Sequence, residues 1–268
     1  MPSSIPPTSS PAILSKSDIH SWLHEELVRP SFGTTVHCGR FAVRRSHSSG
    51  QLNFVQLIAD PGSDLEEEIV AQINFFRAQN QSFEWTVESH LMPSGLVELL
   101  RQHGFQVGHP ETVVVLPVTE LESPPTDRVK LVKSESELAA FKAVSSEVFQ
   151  KDYSLTTQDL RDHFQSGNED HVAFLSFHDG EAVAVARLYS SSDCAVAGLY
   201  GAGTLPAYRG QGHYRDLIAA RAAFAASRGS KLLRVDALPT SLPILLRLGF
   251  TKVCESWPCV WHPSASAE

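Results

Sequence analysis

Apolar and polar positions along this chain switch between a period of two and a period near three and a half. Residues 35–44 and 52–59 alternate as strands, 64–80 repeat at helical spacing, 83–88 (FEWTVE) alternate again, 94–103 read as a helix and 112–116 as a last strand. Beyond residue 128 the same order returns. HVAFLSFHDGEAVAVARLY reads as two strands joined by a turn at His178-Asp179-Gly180-Glu181. A strand over 195–204, a helix over 214–228, a strand over 232–236 and a short helix closing on Leu-Gly-Phe follow. Between the two runs stands VTELESPPTDRV, whose Pro124 and Pro125 suit a linker. The division expected is a disordered tail over 1–16, a first domain over 17–120, a linker over 121–127 and a second domain over 128–268. The fold class is α/β (α+β), a mixed, mostly antiparallel sheet flanked by helices in each half.

The halves echo each other locally. LVELLRQHGF and LPILLRLGF are both apolar helices ending on Gly-Phe, and FEWTVE and LLRVDA hold equivalent places before them. They differ at one corner. The second half has LYGAGTLPAYRGQGHY, a strand stopped by Pro206 and followed by Arg209, Gly210 and Gly212 at the start of a helix. Unpaired N–H groups in the first turn, the helix dipole and Arg209 and Arg215 make that corner an anion site. The first half has IADPGSDLEEE there, and its four carboxylates at a helix start repel a pyrophosphate.

The loop is neither a dinucleotide G-x-G-x-x-G nor a Gly-Lys-Ser/Thr P-loop, since Gly212 is followed by His213 and Tyr214. The run Arg209-Gly210-Gln211-Gly212-His213-Tyr214 resembles motif A of the GCN5-related N-acetyltransferase (GNAT) superfamily, and the resemblance covers residues 128 to about 261. It implies two GNAT-like domains, a degenerate first one walling the substrate cleft and a catalytic second one, with a splayed strand pair holding acetyl-CoA in the second. By the same resemblance Ala202, Gly203 and Thr204 pair with the pantetheine arm, and the Thr204 N–H polarises the acetyl carbonyl. The pyrophosphate falls to Arg209, Gly210, Gln211, Gly212, His213, Tyr214 and Arg215. The activity implied is direct transfer of acetyl to a primary amine, of a small molecule or a peptide. A non-catalytic acyl-CoA-binding or regulatory module is the alternative.

Two departures bear on the chemistry. Tyr214 stands where Gly or Ala is usual, so its ring must turn from the phosphates. Leu245 stands where many members carry an acidic Tyr. The candidate proton carriers are Asp236, which as readily orders the loop ahead of Leu242, and Tyr200. Phe149, Tyr153 and Trp257 are candidate linings of the acceptor pocket.

A formal net charge of -8 argues against nucleic-acid and anionic-membrane partners. No apolar run reaches a membrane span, which points to the cytoplasm. The four cysteines have no C-x-x-C spacing, and His20 and His24 lack a third ligand, so no metal is expected.

Overall fold

The computed structural model describes residues 16–29, 33–47, 53–121 and 125–263. The expected tail lies outside them except for Lys16, which opens the first helix. The first half runs α1 (Lys16–Val28), β1 (Thr34–Cys38), β2 (Ala42–His47), β3 (Asn53–Leu57), α2 (Leu65–Ala78), β4 (Phe83–Glu88), α3 (Leu96–Gln102), β5 (Gln106–Val107) and β6 (Glu111–Pro117). The second runs β7 (Val129–Leu131), α4 (Glu135–Phe149), α5 (Ser154–Ser166), β8 (His171–His178), β9 (Glu181–Tyr189), β10 (Val196–Thr204), α6 (His213–Ser227), β11 (Leu232–Ala237), α7 (Leu242–Arg247) and β12 (Thr251–Trp261). The strand expected over 35–44 is a hairpin instead. The chain doubles back at Gly39, whose N–H donates to the Ala42 carbonyl at 2.8 Å, and β1 pairs antiparallel with β2.

The two expected sheets are one. Its order is β1-β2-β3-β4-β12-β6-β11-β10-β9-β8-β7, with β5 pairing β12 at the side. Only β3/β4 and β10/β11 pair in parallel, one such pair in each half, and the rest is antiparallel. At the centre the halves exchange their last strands. β6 leaves the first half to pair with β11, β12 leaves the second half to pair with β4, and the two exchanged strands pair with each other.

Alternation sorts the side chains onto two faces. Phe83, Trp85 and Val87 of β4 join Ile69, Phe76, Leu96 and Leu100 in a core beneath α2 and α3. Leu233 and Val235 of β11 join Leu217, Ile218 and Leu245 beneath α6 and α7. The opposite face carries α4 and α5 over Ala173, Leu175 and Val185, and α1, whose Leu23 packs on Val115, Val196 and Leu232. The intervening residues, Glu84, Glu88, Arg234 and Asp236, therefore belong to the α1 face. Burying apolar rows on one face leaves a polar floor on the other. Among the described residues no helix is long and apolar enough to cross a membrane.

Candidate active site

The site is built where two paired strands part. β10 and β11 pair only from Val196 to Gly198 against Leu232 to Arg234, and beyond Gly198 they separate. Between Tyr200 and Gly203 the pairing of β10 with β9 shifts by one residue, a bulge at the start of the parting. Past the bulge Leu205 donates its N–H to the Val183 carbonyl at 2.9 Å. Strand alternation then turns the N–H of Thr204 to the other edge, which no strand covers among the described residues, while Ala202 lies in the bulge itself. Gly203 is required by close approach, because a Cβ there would collide with Val148 Cγ1 of α4. Phe149 stacks on Tyr153 beside it, with ring centroids 5.5 Å apart.

The chain then turns through Pro206–Tyr208 into the loop ahead of α6. Gly212 caps that helix at φ 88, a left-handed conformation that a side chain resists. The N–H groups from Gly210 to Arg215 take no backbone acceptor among the described residues, while the Asp216 N–H already bonds to the Gly212 carbonyl at 3.1 Å. Several adjacent donors at a helix start make an anion cradle. Its shape is held from outside the loop. Arg128, at the start of β7, donates to the Gln211 carbonyl at 3.0 Å and pairs with the buried Asp216 carboxylate. Arg209 donates to the Thr204 carbonyl at 3.1 Å, and Arg215 is exposed over the helix start.

The side chain of His213 lies beneath the loop. It is buried, with Nδ1 2.8 Å from the Ser176 hydroxyl, and burial followed by the charge of Arg128 lowers its pKa. Only its N–H belongs to the cradle. Tyr214 is half-buried and packs on the core beneath α6, so its ring turns inward as the spacing required. Leu245 is fully buried in that core and no hydroxyl stands there. The equivalent corner after β3 is acidic. Asp60 accepts from the Gly62 N–H at 2.9 Å, Glu66, Glu67 and Glu68 fill the first turn of α2, and the β3/β4 cleft, lined by Trp85, Leu91 and Leu96, has no room for a water molecule.

On the α1 face the parting strands open onto a charged floor drawn from both halves. Arg234 is its hub. It donates to Glu88 Oε1 at 2.7 Å and Asp236 Oδ1 at 3.2 Å, and Glu26 of α1 lies 3.5 Å away. Asp236 thus carries a guanidinium on its carboxylate. Glu26 is largely buried, and desolvation raises its pKa against the pull of Arg234. Tyr200 keeps 36% of its surface exposed, and desolvation followed by the nearby charge of Glu26 raises its pKa. Its ring lies over Gly198 and meets Tyr189 edge to face at 5.4 Å. Glu84 and Glu111 complete the floor. Burial raises both, against a hydrogen bond from Thr86 at Glu84 and with Asp236 and Glu84 adding to it at Glu111, which reaches about 7. Trp257 lies on the other face, against the core of the first half.

The loop singled out in the sequence is where these N–H groups lie, whereas its brace, Arg128, and the floor residues Glu26, Glu84, Glu88, Glu111 and Arg234 were not singled out. On strands these residues read as solvent-facing polar alternates.

A parted parallel pair, a bulge and a bare helix start follow one another here in a single run of chain, and residues 138–250 match the profile of the acetyltransferase (GNAT) family. Residues 138–250 carry a GNAT domain. A GCN5-related N-acetyltransferase from Kribbella flavida superposes with a TM-score of 0.67 at 21% identity, covering 94% of this chain and 97% of that one. A functionally unknown conserved protein from Staphylococcus epidermidis reaches 0.65 at 14%, covering 87% and 95%. A tandem GNAT protein from the clavulanic acid biosynthesis pathway reaches 0.54 at 12%, covering 88% and 86%, so the two-halved fold is that of a tandem GNAT. No curated protein matches the chain.

Proposed function

We propose that the protein is an acetyl-CoA-dependent N-acetyltransferase that acetylates a primary amine by direct transfer in a ternary complex. The observation that carries this reading is the pairing of an uncovered β10 edge with the cradle at α6, since the two offer donors for an extended amide arm and for a diphosphate in continuous sequence. Acetyl-CoA supplies an acetyl group activated as a thioester. Gly210, Gln211, Gly212, His213, Tyr214 and Arg215 offer backbone N–H groups to the pyrophosphate, with the charges of Arg209 and Arg215 beside them. The edge N–H of Thr204 is free to take a carbonyl oxygen and is the donor suited to the acetyl carbonyl, with Ala202 in the bulge beside it. Tyr200 holds its proton at neutral pH, and its raised pKa makes it a weaker acid than a free phenol.

The amine reaches the parting of the strands from the α1 face. There the carboxylates outnumber the guanidinium they surround, an environment that favours a cation. The rival reading, a non-catalytic acyl-CoA-binding module, draws on Leu245, which leaves α7 without a proton donor. Thiol release from acetyl-CoA, followed over a panel of primary amines, separates the two. Amine-dependent release supports the enzyme. Tight acetyl-CoA binding with no release above background supports the module.

A further inference from the structure

Resting on that reading, we propose that Glu111 is the group that takes the proton from the acceptor amine, so that the first half of the chain supplies a catalytic residue to the second. The placement comes from the strand exchange. β6 is encoded with the first half but lies between β11 and β12, with Thr112 opposite Ala237 and Glu111 opposite Ser256. Glu111 thus sits one residue beyond the end of β11, beside the mouth of the splay. Ser256 also pairs with Glu88, which puts Glu111 on the α1 face with the rest of the floor.

Its chemistry differs from that of its neighbours. Asp236 and Glu88 are bound to Arg234, and Glu26 lies within ion-pair distance of it, so these carboxylates are committed to that guanidinium. The charged groups that face Glu111 are Asp236 from β11 and Glu84 from β4, both acidic, while β12 presents the neutral Ser256. Half-buried among like charges, Glu111 has reason to accept a proton, and burial with that repulsion gives it a proton affinity suited to neutral pH. An alkylammonium entering the floor replaces the repulsion with attraction. When its N–H proton passes to the Glu111 carboxylate, the nitrogen lone pair is released and the site's net charge is unchanged.

The test compares wild type with Glu111→Gln and Glu111→Asp. Acetyl-CoA affinity is measured by calorimetry, thiol release with the best amine of the panel is followed from pH 5.5 to 9, and thermal unfolding is recorded over the same range. Glu111→Gln is expected to bind acetyl-CoA as wild type does. Its turnover at pH 7 should fall by about 10²-fold or more, with the gap closing as pH approaches the pKa of the amine itself. Glu111→Asp should recover part of the rate, which a purely structural role would not require. Turnover and a pH profile equal to wild type in folded Glu111→Gln would overturn the assignment, as would a pH-independent loss accompanied by lost acetyl-CoA binding. If the wild type binds acetyl-CoA and releases no thiol with any amine, the enzyme reading itself fails and this assignment goes with it.

Discussion

Gly212 and Glu111 show how single positions carry the account. A side chain at Gly212 would be strained by its left-handed backbone and would come within 3.0 Å of Arg128 Nη2, so the cradle tolerates only glycine there. Glu111 is destabilising in its ionised form, and the sign follows from its pKa. The folded state holds the proton up to about pH 7 and the unfolded chain only to the ordinary 4.5. The favourable contribution is therefore complete below pH 4.5 and lost by pH 7. We expect Glu111→Gln to be more stable than wild type at pH 8 by about 1 kcal/mol, after allowance for its partial exposure, and no more stable at pH 4.5. Unfolding midpoints at the two pH values check this, and equal differences at both would contradict it. The residues of the cradle were legible because glycine, arginine and proline announce a backbone geometry. Glu111 was not, since a glutamate at the head of a strand looks the same whether it meets water or a cleft.

At the scale of elements, the loop ahead of α6 depends on a residue 83 positions away. Arg128 ties the Gln211 carbonyl to the Asp216 carboxylate, which is almost wholly buried. Arg128→Ala leaves that carboxylate without its nearest partner. It should lower stability by about 1–3 kcal/mol and weaken acetyl-CoA binding by roughly 10-fold, with the turnover of the saturated enzyme largely kept. Denaturant unfolding and the split between KM and kcat test it, and a variant that loses turnover alone would show that Arg128 does something else. The splay itself was expected from resemblance. The hairpin of β1 and β2 was missed because VHCGRFAV alternates almost without a break, and one glycine hides a reversal. Strand periodicity identifies a strand and its faces but not its partner, which is why the strand exchange could not be read from the pattern.

For the whole molecule, that exchange makes the halves interdependent. Each parallel pair is completed on its outer side by the other half's last strand, so neither sheet is whole alone. Unfolding should be a single cooperative transition, and a fragment from residue 125 onward should fail to fold as a stable monomer. Calorimetric and van't Hoff enthalpies that disagree, or a folded fragment, would contradict this. Repetition also doubled the splay while leaving one corner rich in free N–H groups and the other lined by Asp60 and the acidic first turn of α2. On the proposed reading only the corner at α6 binds acetyl-CoA. Titration calorimetry with acetyl-CoA on the wild type, Gly212→Glu and Asp64→Ala checks this. One site per chain is expected, abolished by Gly212→Glu and unchanged in Asp64→Ala; two equivalent sites, or binding that survives Gly212→Glu, would overturn it.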